Sequence, residues 1–154
     1  MATYYADSSV LVKRHVGEVG TPWVQALADP AAGHLFATSR ISIVEVISAL
    51  NRRQREGTVS AAEYARISTD FAALCATTYQ LVEFTEEVVA QAWHLLEQYA
   101  LRAYDAVQLA SALLTDRIIR ASGDPPLTFL AADDRLLTAA QREGLAVDNP
   151  QRHP

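Results

Sequence analysis

Short apolar runs alternate along the chain with longer segments in which hydrophobic residues recur every three or four positions. The clearest of these stripes consists of Ile43, Val46, Ile47 and Leu50, at positions i, i+3, i+4 and i+7. This spacing places the four side chains on one face of a helix. The pattern therefore predicts a long helix that ends before Gly57.

The same pattern predicts an alternation of strands and helices over the whole chain. Strands are predicted at Thr3–Ala6, His34–Thr38, Tyr79–Phe84 and Thr128–Ala131, with a last edge strand at Leu145–Val147. Helices are predicted at Ser8–His15, from near Pro22 to Ala28, at Ile41–Arg55, after Ser60 to Ala76, from Thr85 to Tyr99, from near Ala103 onward, and at Asp134–Arg142. This order predicts an α/β fold with a mainly parallel sheet covered by helices on both faces.

Length and composition narrow the class of protein. The 154 residues contain no repeat or long linker, and they fit one domain over residues 1–154. Half of them are hydrophobic and 20% are charged, as in a folded globule. No apolar run approaches the roughly 18 residues of a membrane span. The start, MATYYADSSVLVKRH, lacks the pattern of a secretory signal, so we expect a cytosolic protein.

The cysteine content excludes two kinds of structural site, and the net charge argues against one class of DNA-binding protein. Cys75 is the only cysteine, which excludes an internal disulfide and a zinc site built from cysteines. The net charge is −5 and the sequence pI is about 5.3, whereas a protein that coats duplex DNA is usually basic. If the chain acts on nucleic acid, a bound metal or nearby arginines must offset this acidity locally.

Two aspartates follow predicted strands. Asp7 comes directly after the first strand, and Asp133 lies just beyond the fourth. Ligands of parallel α/β sheets bind at the carboxyl ends of the strands, so both residues are candidates for a site. Taken alone, Asp7 is better explained as the N-cap of the helix that follows it, and capping the next helix is a sufficient explanation for Asp133 as well.

Two further acids lie on predicted helices. Glu45 points away from the apolar stripe of its helix, and Ile41 and Val44 beside it indicate partial burial. No basic residue stands three or four positions away, so Glu45 needs a partner from elsewhere in the fold or a metal. Asp105 lies near a helix start, where the dipole favours acids and where Arg102 offers a local ion pair.

These four carboxylates would repel one another if they met in one crevice, and they would remain charged only around a cation. Carboxylate oxygens are hard ligands that suit Mg²⁺ or Mn²⁺. Such ions activate water and offset the charge of a phosphodiester. Spacing along the chain leaves open whether the four residues converge.

The four acids lie in four blocks, which read YYADSSVLVK, TSRISIVEVISALNR, RAYDAVQLASAL and TFLAADDRLLTAA. In this order the blocks resemble PIN-domain ribonucleases, specifically the VapC-like toxins of toxin–antitoxin pairs, over essentially the whole chain. The resemblance implies acids of the site at Asp7, Glu45, Asp105 and Asp133. It also implies an accessory hydroxyl at Ser9, or less surely at Ser8.

The fourth block departs from the family pattern. A Thr, Ser or Asn often stands two residues before the final acid, and this chain has Ala131 there. The adjacent Asp134 is an alternative for the fourth acid. Asp133 is preferred because Arg135 and Leu136 then fall in register.

The resemblance implies a three-layer α/β/α sandwich and endonucleolytic cleavage of RNA that depends on Mg²⁺ or Mn²⁺. Asp7, Asp105 and Asp133 would bind the metal directly or through water, and Glu45 would bind it or orient the attacking water. A cognate antitoxin and a homodimer are also implied. An antitoxin arginine that pairs with the carboxylates would explain inhibition.

The arginines near these acids have two interpretations each. Arg40 and Arg135 are candidates for holding a phosphate, although solvation at the surface explains them as well. Arg52, Arg53 and Arg55 could bind RNA, but favourable charge at a helix C-terminus is the preferred explanation.

Other protein classes with acidic sites fit the same residues less well. A haloacid-dehalogenase-type phosphatase needs a second Asp two residues after the first, where this chain has Ser9. A receiver domain needs a lysine after a late strand, and the only lysine is Lys13. A non-catalytic binding module that retains the scaffold stays open because of Ala131.

Overall fold

Five parallel strands form the central sheet of the computed structural model, which describes residues 1–154. The strands are β1 (Thr3–Ala6), β2 (Leu35–Ser39), β3 (Gln80–Val82), β4 (Thr128–Leu130) and β5 (Ala146–Asp148). Their order across the sheet is β3-β2-β1-β4-β5, and every neighbouring pair is parallel. The first strand of the chain is therefore the middle strand of the sheet.

Seven α-helices cover the two faces of this sheet. They are α1 (Ser8–His15), α2 (Thr21–Leu27), α3 (Ile41–Arg55), α4 (Ala61–Thr77), α5 (Glu86–Gln98), α6 (Ala103–Ala121) and α7 (Asp134–Arg142). Helices α1–α4 share one core with Ala6, and α5–α7 share the other with Tyr5. These consecutive residues of β1 point to opposite faces, as the period of a strand requires. The predicted α/β/α sandwich is confirmed. No helix has both the length and the apolar character needed to cross a membrane.

Every predicted strand except β1 has different bounds in the structure, and β4 and β5 differ by no more than one residue at either end. Strand β2 begins after His34, whose ring accepts a hydrogen bond from the backbone N–H of Ala2. It continues to Ser39, which pairs with Val82 of β3. The prediction of Tyr79–Phe84 for β3 was too long, because this edge strand pairs only with β2 and the ladder ends at Val82. Strand β5 lies at the opposite edge, as predicted.

The strand order creates a crevice beside β1. The chain builds β1, β2 and β3 toward one edge and then returns to place β4 on the other side of β1. The segments after β1 and β4 therefore diverge, and ligands of parallel sheets bind at such a switch point. Asp7 lies at this point, and its backbone N–H donates to the carbonyl of Leu130, at 3.1 Å.

The C-terminal segment closes one end of the crevice. A 3₁₀ turn at Pro150–Arg152 packs against the start of α2, where the backbone of Gly20 touches the carbonyl group of Pro150. The ring of Trp23 stacks on His153, with the ring centres 4.1 Å apart. These contacts hold Gln151 at the wall of the crevice.

We predict that Gly20→Ala destabilises the protein more than Gly33→Ala does. Both glycines have positive φ, 88° and 67°, so alanine costs each about 1 kcal/mol of conformational strain. A Cβ at Gly20 also overlaps Pro150, whereas a Cβ at Gly33 meets nothing within 4 Å. We expect a further loss of roughly 1–3 kcal/mol at Gly20, measured as the free energy of unfolding in urea. Equal losses for the two variants would contradict this close packing.

Candidate active site

A cavity of about 570 Å³ opens at the carboxyl ends of β1 and β4. Its lining includes all four predicted acids: Asp7, Glu45, Asp105 and Asp133. They come from four separate parts of the chain, namely the end of β1, helix α3, the first turn of α6 and the N-cap of α7. The convergence that spacing left open is thus present in the fold.

Asp7 is both an N-cap and a member of the site. Its Oδ1 accepts hydrogen bonds from the backbone N–H of Val10, at 3.2 Å, and from the hydroxyl of Ser9, at 2.5 Å. No protein group donates to its Oδ2. The residue is only 5% exposed, so its charge has little access to water. One oxygen caps α1, and the other is available to a ligand.

The carboxylates interact electrostatically across the cavity. Burial raises the pKa of Asp7 to about 7, against the opposing effect of the bonds from Ser9 and Val10, and the charges of Glu45 and Asp105 raise it further. Burial is likewise the main cause that raises the pKa of Asp105, and the charge of Asp133 adds to it. A cation among the acids would offset this repulsion.

Glu45 is half-buried and held by two neutral donors. The amide of Gln108 donates to its Oε1 at 2.8 Å, and the hydroxyl of Ser8 donates to its Oε2 at 3.0 Å. The same nitrogen of Gln108 also donates to the hydroxyl of Ser42. The Oε1 of Gln108 accepts from the hydroxyl of Tyr5. The expectation of partial burial with a partner from elsewhere in the fold is confirmed, since the partners come from α6 and α1.

Ser9 connects the acid after β1 to the loop after β4. Its hydroxyl donates to Asp7 and accepts from the backbone N–H of Ala132, at 3.1 Å. Ala131 is fully buried in the core beneath α5–α7, so it contributes packing rather than a polar contact. The loop that carries Asp133 is therefore tied to the site through Ser9, although residue 131 has no hydroxyl.

Asp133 faces the cavity and Asp134 does not. The Oδ1 of Asp133 caps α7 by accepting from the backbone N–H groups of Arg135 and Leu136. Asp134 instead accepts from the side chains of Asn149 and Arg152, at 3.0 and 2.9 Å. The C-terminal segment thus draws Asp134 out of the crevice, which removes it as an alternative for the fourth acid in this arrangement.

The two arginines considered as phosphate contacts lie outside the cavity. Arg40 forms hydrogen bonds of 2.6–2.9 Å with Glu83 at the exposed end of β2 and β3. Arg135 lines a separate depression beside Leu101 and Arg142. The structure thus gives Arg40 a surface partner, Glu83, and its role as a phosphate contact stays a prediction. The charge of Arg135 opposes the rise in the pKa of Asp105.

Several residues in or directly behind the cavity carried no clear signal in the sequence. Gln108 is 1% exposed and stands as one polar residue in the apolar run AVQLASAL, which was the available hint of a buried network. Tyr104 and Arg102 lie beside Asp105 on the wall of the cavity. Lys13 and Glu18 also line it, from α1 and the loop that follows.

The donor set fits a divalent cation that keeps part of its water shell. No group of three or more His, Cys, Asp or Glu side chains is arranged to hold an ion by itself. Mg²⁺, however, commonly binds through one or two carboxylates, several waters and substrate phosphates. Asp7 offers an oxygen without a protein donor, and the neighbouring acids offer further hard oxygens.

The sequence resembles known proteins over most or all of its length. A model of the PIN domain family matches residues 4–140. Ribonuclease VapC45 of Mycobacterium tuberculosis is 36% identical over 154 residues, which cover 100% of both chains.

Solved structures share the fold at lower identity. VapC20 of Mycobacterium tuberculosis, described as a sarcin–ricin loop cleaving toxin, has a TM-score of 0.61 and 20% identity, over 88% of this chain and 94% of that one. A chain of a toxin–antitoxin complex from Klebsiella pneumoniae has a TM-score of 0.55 and 17% identity, over 97% and 98% of the two chains.

We predict that Asp7→Asn stabilises the metal-free protein at alkaline pH. The pKa of Asp7 is higher in the folded protein than in the unfolded chain, so folding favours its protonated form. That stabilisation is complete below about pH 4 and is lost as the pH rises through about 7. Asparagine stays neutral and keeps an oxygen that caps α1.

In the presence of a chelator, the free energy of unfolding of Asp7→Asn should exceed that of the wild type by about 1–3 kcal/mol at pH 8. The difference should shrink toward pH 4. Urea unfolding at both pH values measures it. Asp133→Asn is the matched control, because Asp133 also caps a helix but is exposed, and its effect should stay within about 0.5 kcal/mol. A difference that does not change with pH would refute the burial of a charge at Asp7.

Proposed function

This chain belongs to the PIN-domain family, and on that premise we propose that it is a VapC-type endoribonuclease that hydrolyses RNA with Mg²⁺ or Mn²⁺. The observation that carries the proposal is the convergence of four carboxylates at the carboxyl ends of β1 and β4. They crowd together although their charges repel. Repulsion between the carboxylates does not stabilise the fold, whereas the same arrangement suits a site that binds a cation.

Asp7, Asp105 and Asp133 are the residues that would hold the cation, directly or through water. When bound, a divalent cation supplies positive charge against the phosphodiester and makes water more acidic. Asp7 contributes the oxygen that no protein group occupies. Asp105 lies in the first turn of α6, and Asp133 is an exposed residue of the cavity lining.

Glu45 is the residue that would orient the attacking water and accept its proton. Hydrolysis adds the water oxygen to phosphorus and breaks one P–O ester bond; Glu45 would take one proton of the water, and the leaving oxygen takes up a proton from solvent. The bonds from Gln108 and Ser8 fix the carboxylate of Glu45 without neutralising it. A carboxylate has about four lone-pair positions, so these two donors leave room for water.

The toxin role adds partners to this proposal. Inhibition by a cognate antitoxin follows from the site, because an arginine that enters the crevice would form charge-assisted bonds with its carboxylates. The likeness to a chain of a toxin–antitoxin complex supports such a partner. A homodimer and a cytoplasmic location complete the proposal, and both are expected from the family.

We predict that the purified chain, free of antitoxin, cleaves RNA in the presence of Mg²⁺ or Mn²⁺ and loses this activity in a chelator. Asp7→Asn and Asp105→Asn should each lower the cleavage rate at least about 100-fold, because each removes a charged oxygen from the site. Asp134→Asn is the matched control: it makes the same change one residue beyond Asp133, but its side chain faces Asn149 and Arg152. It should retain most of the activity.

Two outcomes would count against the proposal in different ways. Cleavage that is unchanged in both site variants would show that the acids of the crevice do not perform the reaction. Failure to cleave any RNA, together with no Mn²⁺ binding in calorimetry, would favour a non-catalytic binding module on the same scaffold.

A further inference from the structure

The cavity has a second wall with the opposite charge. Lys13 of α1 and Arg52 and Arg53 of α3 line it, with Glu18 between them. We call these four residues the basic wall. They face the same space as the acids, so a ligand that reaches the carboxylates also meets this surface.

The basic wall has more positive than negative charge. The ammonium of Lys13 pairs with the Oε2 of Glu18 at 2.7 Å, and the guanidinium of Arg53 pairs with the other oxygen of the same carboxylate. Arg52 forms no ion pair and no side-chain hydrogen bond, and it is exposed. The basic wall therefore holds three cations and one anion, which pairs with two of them.

Two features leave donors free on this wall. The Nε of Arg53 is buried and has no hydrogen-bond partner. Buried donors are nearly always paired, so an unpaired one needs an explanation. The exposed guanidinium of Arg52 has all its donors available. An anionic ligand in the cavity would supply acceptors to Arg52, and the exposed part of the Arg53 guanidinium would add its charge.

The cations are not explained as counterions of the catalytic acids. No ion pair joins Lys13, Arg52 or Arg53 to any of the four carboxylates. The dipole of α3 favours positive charge at its end, and it applies equally to Arg55. Arg55, however, does not line the cavity, so the dipole does not account for the side on which Arg52 and Arg53 lie.

We propose that the basic wall binds a backbone phosphate of the RNA adjacent to the one that is cleaved. The inference rests on the proposed function, because it assigns a second part of the same substrate. Guanidinium groups match phosphate oxygens in geometry and charge. The acidic wall then takes the cation and the scissile phosphate, while the basic wall positions the neighbouring nucleotide. Lys13 is 3% exposed, so it acts beneath the surface by fixing Glu18, which in turn fixes Arg53.

Binding of a labelled single-stranded RNA oligonucleotide tests this assignment. The Asp105→Asn background prevents cleavage, and fluorescence anisotropy in Mg²⁺ over a series of KCl concentrations gives the affinity. Arg52→Gln should weaken binding about tenfold and lower the salt dependence by about 0.7, as expected for the loss of one phosphate contact. Arg53→Gln should act in the same direction. Arg52 has no protein partner, so its loss should leave folding intact.

Arg55→Gln is the matched control, because it removes the same charge from the same helix end, outside the cavity. It should change the affinity less than about twofold. If Arg52→Gln and Arg53→Gln bind RNA as tightly as Arg55→Gln does, the basic wall is not a phosphate site.

The failure of this proposal is distinguishable from failure of the proposed function. A wild-type chain that cleaves RNA, with equal binding by all three arginine variants, would retain the nuclease and refute the basic wall. A wild-type chain that cleaves no RNA, with binding weakened only by Arg52→Gln and Arg53→Gln, would retain the basic wall and refute the nuclease.

Discussion

Burial of a carboxylate at the end of the middle strand is the constraint on which the rest of this site depends. Asp7 follows β1, which has strands on both sides and helices on both faces. At this position water cannot stabilise the charge, and the nearby acids make it still less favourable. Val10 and Ser9 donate hydrogen bonds to one oxygen of Asp7, which stabilises the buried side chain. The other oxygen is left for a ligand.

Neutral groups hold the acids in place, so that no cation of the protein cancels their charge. Ser9 donates to Asp7, while Ser8 and Gln108 donate to Glu45. An arginine in any of these positions would fix the carboxylate and also cancel it. The ion pairs of Lys13 and Arg53 instead lie with Glu18 on the opposite wall. This separation lets one cavity attract both a cation and an anion.

Local patterns predicted the parts of the fold that depend on neighbouring residues. The bounds of α3 and α7 agree with the prediction, because each helix is marked by residues within or next to it. The marker of α3 is its apolar stripe, and the marker of α7 is its cap at Asp133. The length of β3 and the side-chain partners of Asp134 could not be predicted, since they depend on β2 and on the C-terminal segment. The bond from Tyr5 to Gln108 joins residues 103 positions apart, and no local pattern marks it.

The most direct test of a cation among crowded carboxylates is the number of protons released when Mn²⁺ binds. Calorimetry in buffers of different ionisation enthalpy measures this number. With a pKa of about 7 for Asp7, the wild type should release close to one proton per ion at pH 6 and about none at pH 8.5. Binding without proton release at pH 6, or no binding at either pH, would contradict this account of the site.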